Sequence, residues 1–369
     1  MGETFVTSAF WGLGLSFSIA LMIAGFSKYF RSRDEHLDKK RAAHVRPTSR
    51  LGGVAVCLAV LFVILINIET WHFDIALASL PIFVVGLMED LNRPLKSQLR
   101  LAVGALSAGI FLFFERHYIS DVGIGWVNLV LSLAPVAIAF TIFSIVALIN
   151  ALNFIDGING LASGKTLIAA FALMWLSNNY NEPNLSLLGA AIFSASLGLF
   201  MVNYPQGRIF LGDAGAYTLG FLLAVSLITL KSQNPEISAW SIMLIIFWPI
   251  LDMGHSILRR WLKGRRSDRP DYMHLHHVVM RSIIIFADGQ LSKAVANPLA
   301  TAIILPLAAL PVVLGVLYHQ NNAICMILFV GFSVLFSLAH AGITHAARRR
   351  FHSFLVRSRK TFCPNQLSR

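Results

Sequence analysis

Long apolar runs separated by short polar segments make up most of the chain. The runs are Phe5–Tyr29, Leu51–Ile68, Ile75–Leu87, Leu99–Phe114, Val127–Leu148, Leu161–Leu176, Leu185–Met201, Ala214–Leu230, Ala239–Ile257, Ile303–Tyr318 and Ala323–Ala339. A helix needs about 17–25 apolar residues to cross a bilayer, and several of these runs reach that length only with their flanking residues. Ile75–Leu87 is the shortest, and needs Trp71, His72 and Phe73 at one end and Met88 at the other. The pattern predicts an all-α polytopic membrane protein of about eleven transmembrane helices. Composition agrees: 56% of the 369 residues are hydrophobic and 13% charged, with a mean hydropathy of +0.68.

Charge then orients the predicted bundle. With eleven spans, the loop after the first helix and every second loop beyond it share a side with the C-terminus. That side receives 28 of the 30 Lys and Arg residues, leaving Arg116 and Lys231 opposite. It also takes 11 of the 18 acids, so one face is near +17 and the other near −5, recovering the overall +12. The positive-inside rule makes the basic side cytoplasmic and the N-terminus periplasmic. The first run is too long for a signal-peptide core and has no basic segment before it, so it reads as an uncleaved anchor.

A pI near 10 could suggest nucleic acid. The cations sit at helix ends and in juxtamembrane loops, however, which fits topology and anionic lipid headgroups instead. Cys57, Cys325 and Cys363 are scattered and suggest neither disulfides nor a metal centre. The chain reads as a single integral-membrane catalytic domain over residues 1–344, followed by a basic cytoplasmic tail, 345–369. Its cytoplasmic loops are 30–50, 88–98, 149–160, 202–213 and 258–298.

Four polar segments fall on the cytoplasmic side. Glu89 and Asp90 close the third run, where two carboxylates oppose the helix dipole and so call for a partner. That partner is either a divalent metal or a proton taken from a substrate. Asn150–Gly160 carries Asn153, Asp156 and Asn159 at spacings of three, among glycines. These hard oxygen donors suit Mg²⁺ and equally suit a nucleotide base or ribose. Asp213 lies between Gly212 and Ala214-Gly215, placed to cap a helix or to ligate a metal. Asp252 stands inside the ninth run, followed by Arg259, Arg260, Lys263, Arg265 and Arg266, and then His274, His276 and His277. No His-Glu-x-x-His pattern accompanies these histidines, so phosphate or sugar contact reads better than zinc. The first cytoplasmic loop adds Asp38, Arg41, His44, Pro47, Arg50 and the pair Gly52-Gly53, which allows close approach of a ligand or a neighbouring helix.

Together these groups suit phosphoryl transfer at a membrane surface, in which positioning and charge neutralisation do most of the catalysis. A secondary transporter would place its polar groups near the bilayer midplane, whereas these lie at the rim. In the order Glu89-Asp90, Asn153-Phe-Ile-Asp156-Gly-Ile-Asn-Gly-Leu161, Phe210-Leu-Gly-Asp213 and His274-Leu-His-His277, the chain resembles the bacterial polyprenyl-phosphate N-acetylhexosamine-1-phosphate transferases of glycosyltransferase family 4. The first-loop residues Arg41, His44, Pro47, Arg50 and Gly52-Gly53 match that family's pattern too.

The resemblance implies transfer of a sugar 1-phosphate from a UDP-N-acetylhexosamine, GlcNAc or a derivative first, to undecaprenyl phosphate. UMP would be released and Mg²⁺ (or Mn²⁺) required, and a homodimer is left open. It implies that Asn153 and Asp213 hold the metal. Glu89, Asp90 and Asp156 take catalytic positions, the first two near the lipid phosphate. Arg41, His44, Arg50, Asn159, Arg265, His274, His276 and His277 bind substrate. The branch that loads phospho-N-acetylmuramoyl pentapeptide is less similar, because it carries three consecutive histidines. Two departures stand out. Glu89 replaces the usual first Asp of the acidic pair, and Asn159 replaces a frequent Asp and cannot act as a base.

Overall fold

The computed structural model describes residues 2–26, 48–67, 73–264 and 273–362, with side chains described from residue 5 and up to 352. Within them the regular structure is helical apart from an isolated parallel bridge between Ser49 and Ile209, with turns and loops between the helices. The helices are α1 (Gly2–Gly25), α2 (Gly52–Ile66), α3 (Phe73–Asp90), α4 (Ser97–Glu115), α5 (Gly125–Leu131), α6 (Ala134–Phe154) and α7 (Leu161–Asn179). Then follow α8 (Pro183–Asn203), α9 (Gly212–Gln233), α10 (Ala239–Ile245), α11 (Phe247–Leu262), α12 (Leu275–Phe286), α13 (Lys293–Leu317) and α14 (Asn322–Phe362).

As far as the described residues reach, each apolar run predicted as a span falls mainly on helix, but not always on one helix. Among the described residues seven helices are long and apolar enough to cross a membrane, or eight if the bent pair α10–α11 is one span. The chain is therefore a polytopic helical membrane protein. The run Val127–Leu148 is divided at Ser132-Leu133, where Pro135 opens α6. The run Ala239–Ile257 is broken at Ile246, and α10 and α11 diverge by 84°. Pro249 lies in the first turn of α11 and has no N–H to continue the ladder across the break, which is the usual cause of such a kink. The segment 258–298, predicted as loop, contains the end of α11, all of α12 and the start of α13. α12 has 12 residues, too few to span.

α9 is the axis of the bundle. Residues 212–230 are all buried, and α2, α3, α6, α7 and α8 pack around them. A helix apolar on every side belongs inside a bundle, and the small residues of α9 let its neighbours approach closely. A Cβ on Gly53 would lie 2.1 Å from the Gly215 nitrogen, and one on Gly86 would lie 2.5 Å from the Ala214 Cα. The outermost surfaces carry large exposed apolar side chains, such as Phe113, Leu129, Leu307 and Leu338, as a lipid-facing belt requires.

Candidate active site

Close packing of α2, α3 and α9 brings their polar ends to one end of the bundle. Ser49–Gly53 runs alongside Ile209–Leu211: Phe210 N–H donates to Ser49 O at 2.9 Å, and Gly52 N–H to Phe210 O at 2.9 Å. Thus the Gly52-Gly53 pair serves close approach to a neighbouring helix. Arg50, just before it, is carried over the start of α9.

Asp90 ends α3 with only 3% of its surface exposed. Its Oδ1 accepts the N–H of Asp213 and its Oδ2 that of Ala214, both at 2.9 Å. Those are orphan donors of the first turn of α9, so a side chain from another helix serves as the α9 cap. The opposition between Asp90 and the dipole of its own helix is resolved by the positive end of α9. Arg50 adds its guanidinium, with Nε 3.7 Å from Asp90 Oδ1 and Nη2 3.1 Å from Asp213 Oδ1. Glu89 turns the other way. Its Oε2 accepts from Tyr217 Oη at 3.0 Å and from Arg100 Nη1 at 3.3 Å.

The central segment meets the same point. Asn153 Nδ2 donates to Asp213 Oδ1 at 2.5 Å, and Asp156 Oδ2 accepts the N–H of Gly212 at 3.0 Å. Gly212 has φ +73°, and a Cβ there would lie 1.9 Å from Arg50 O, so a side chain is excluded both conformationally and sterically. Burial pushes the Asp156 carboxyl up to about 7, against the opposing pull of Arg50 and of the Gly212 N–H.

The histidines close the other flank. Asp252, from α11, accepts the Leu275 N–H at 3.0 Å and lies 3.3 Å from both His274 Nδ1 and His276 Nδ1. A carboxylate only accepts, so the Nδ1 of His276 carries the proton and its Nε2 is left as an acceptor. That Nε2 is buried without a hydrogen-bond partner, and a Cβ on Gly157 would lie 2.5 Å from it. His277 contacts the same glycine, and Phe154 stacks on His274. Burial lowers the pKa values of His276 and His277, so both rings are neutral near pH 7.

Asn159 belongs to the scaffold beneath this surface. Its Nδ2 donates to Pro205 O, its N–H to Asn297 Oδ1, and its carbonyl accepts from Thr301 Oγ1. Asn203 works beside it, accepting the Gly160 N–H and donating to Ile209 O. Arg41, His44 and Arg265 lie outside the described residues. Of the remaining predicted residues, Arg50, Asp90, Asn153, Asp156 and Asp213 converge directly, Glu89 stands behind them, and His274, His276 and His277 face Gly157. Reading the sequence missed Tyr217, Asn297 and Thr301. The signal was present, since Asp213 with Tyr217 and Asn297 with Thr301 are i, i+4 pairs on one helix face.

Among the described residues no group of three or more His, Cys, Asp or Glu side chains is arranged to hold a metal. The donor set that does gather is of hard oxygens: Asp213 Oδ1, the amide of Asn153 and, across Gly212, the carboxylate of Asp156. Turning the Asn153 amide would present its oxygen beside Asp213 Oδ1. Around Arg50 stand three carboxylates, a negative excess that a divalent cation would offset. These residues fit a hard cation such as Mg²⁺.

The fold and site define a polytopic membrane protein with an acidic, amide-rich centre at one end of its bundle. Residues 72–231 match the model of Glycosyl transferase family 4, a segment that includes Glu89, Asp90, Asn153, Asp156, Asn159 and Asp213. The chain is 28% identical over 253 residues to the "Probable undecaprenyl-phosphate N-acetylglucosaminyl 1-phosphate transferase" of Bacillus subtilis (strain 168), covering 65% of this chain and 68% of the relative. It is 28% identical over 279 residues to the "Decaprenyl-phosphate N-acetylglucosaminephosphotransferase" of Mycobacterium tuberculosis (strain ATCC 25618 / H37Rv), covering 66% and 68%. To the "Undecaprenyl-phosphate alpha-N-acetylglucosaminyl 1-phosphate transferase" of Escherichia coli (strain K12) it is 27% identical over 239 residues, covering 63% and 65%. Over residues 72–231 the chain is thus similar to glycosyl transferase family 4.

Proposed function

We propose that this protein transfers an N-acetylhexosamine 1-phosphate, GlcNAc or a derivative first, from its UDP-linked donor to undecaprenyl phosphate. A phosphate oxygen of the lipid would bond to the β-phosphorus of the donor as the bond to the bridging oxygen breaks. UMP then departs and a lipid-linked sugar diphosphate remains. The observation that carries this reading is the meeting of four separate polar segments around Arg50, Asp213 and Gly157, three of them within the segment matched to the family. The names of the relatives support the chemistry.

Each residue has work to do in that reaction. Asp156, with its carboxyl near 7, can take a proton from a monoprotonated lipid phosphate as it attacks. Arg50, held by Asp90 and Asp213, offers a fork-shaped donor to phosphoryl oxygens. A phosphoryl oxygen arriving at His276 Nε2 favours the doubly protonated ring, with Asp252 as its counter-charge. Asp90 positions the start of α9, and Glu89 positions Arg100 and Tyr217. Held by Asp213 and the Asn153 amide, Mg²⁺ (or Mn²⁺) would neutralise charge on the diphosphate.

In this reading all eleven runs span the bacterial inner membrane, with the N-terminus periplasmic, the C-terminus cytoplasmic and the site facing the cytoplasm. The segregation of Lys and Arg supports that orientation. Purified protein in nanodiscs, supplied with undecaprenyl phosphate, Mg²⁺ and a panel of UDP-N-acetylhexosamines, is expected to release UMP with at least one of them. No UMP with any member of the panel would sink the proposal.

A further inference from the structure

Lys165 lies in the second turn of α7 and is 2% exposed, with no carboxylate in ion-pair range among the described residues. A buried cation inside an apolar segment is costly, and so marks a site where something depends on it. Its Nζ donates to two backbone carbonyls, Ala308 O at 3.3 Å and Ile245 O at 3.5 Å. Ile245 is the last residue of α10. In an unbroken helix its carbonyl would accept the N–H of residue 249, but that residue is proline. Lys165 supplies the missing donor at the break and joins it to α13.

The break aims α11, and two turns further on α11 carries Asp252. That carboxylate accepts the Leu275 N–H and holds His276 Nδ1. We propose that Lys165 is a positioning residue for the His274–His277 element, acting through the α10–α11 break and Asp252. The kinetic part of this inference rests on the transferase reading; the structural part does not.

Lys165→Met keeps the stem and removes the donors. In full-length protein in nanodiscs it is expected to raise KM for the UDP-sugar and to lower kcat at least tenfold, leaving KM for undecaprenyl phosphate unchanged. A general loss of folded protein would lower kcat without that split. Lys165→Gln retains an amide donor and is expected to recover part of the loss, and it replaces the Met variant if that variant fails to insert. In an Asp252→Asn background, Lys165→Met should add no further defect. Hydrogen–deuterium exchange over residues 246–262 and 275–286 should speed up in the Met variant, whatever the activity. Unchanged exchange with unchanged kinetics overturns the proposal, as do defects that multiply with Asp252→Asn. If the wild type releases no UMP, the transferase reading fails, while the exchange measurement still decides the role of Lys165.

Discussion

Replacing Asp90 by asparagine asks whether this carboxylate chiefly builds the site or reacts in it. In the structure it accepts two N–H bonds at 2.9 Å from the first turn of α9 and faces Arg50 at 3.7 Å, almost fully buried. An amide has one oxygen, so it can accept one of the two N–H groups and turns its own NH₂ toward the other. The change removes one charge-assisted bond, worth about 1.5–3 kcal/mol, and leaves a buried donor unpaired at about 1–3 kcal/mol. The sum, about 2.5–6 kcal/mol, is a large part of the stability of an ordinary fold. Thermal melting in nanodiscs should therefore show a fall of many degrees, with transfer activity lost in parallel. An Asp90→Asn protein that melts like the wild type yet turns over a hundredfold more slowly would refute the capping role and make Asp90 a reacting group.

Other variants test the remaining parts. Asp156 has a carboxyl near 7, raised above the ordinary unfolded value of about 3.9, so between those pH values the unfolded chain binds fewer protons. Its contribution to stability is thus full below about pH 4 and lost as pH rises through 7; Asp156→Asn should flatten that decline in melting temperature and remove the limb of the kcat/KM profile near pH 7. Gly157→Ala would put a Cβ 2.5 Å from His276 Nε2, and steady-state kinetics should show KM for the UDP-sugar rising at least tenfold. Asp213→Ala should cost at least two orders of magnitude in kcat and raise the Mg²⁺ concentration needed for half-maximal rate, as a divalent-ion titration would show; full activity would remove Asp213 from the site.

Polarity made the candidate site legible in the sequence. Asn153, Asp156, Asp213 and the histidines stand out because acids, amides and imidazoles have no place in apolar runs unless something holds them. Partnership was harder to read. Nothing local to Glu89-Asp90 says that one carboxylate caps α9 while its neighbour turns to Tyr217, because helix phase sends adjacent residues apart and these partners lie more than a hundred positions away. Asn159 carried the same polarity as Asn153, yet it is built into the scaffold under the site, a difference set by tertiary contacts alone. The break at Ile246 was hidden because hydropathy registers side chains, whereas the bend arises from the N–H that Pro249 lacks. Lys165 falls inside the run Leu161–Leu176, and the sequence does not reveal that two carbonyls stand opposite it.

The most direct measurement is UMP release by the wild-type protein in nanodiscs from UDP-GlcNAc, with and without undecaprenyl phosphate and with and without Mg²⁺. The account predicts UMP in step with formation of a lipid-linked sugar diphosphate, only when acceptor and cation are both present, and its loss in Asp213→Ala. Lipid product formed at an undiminished rate by Asp213→Ala, or none from any UDP-N-acetylhexosamine, would contradict it.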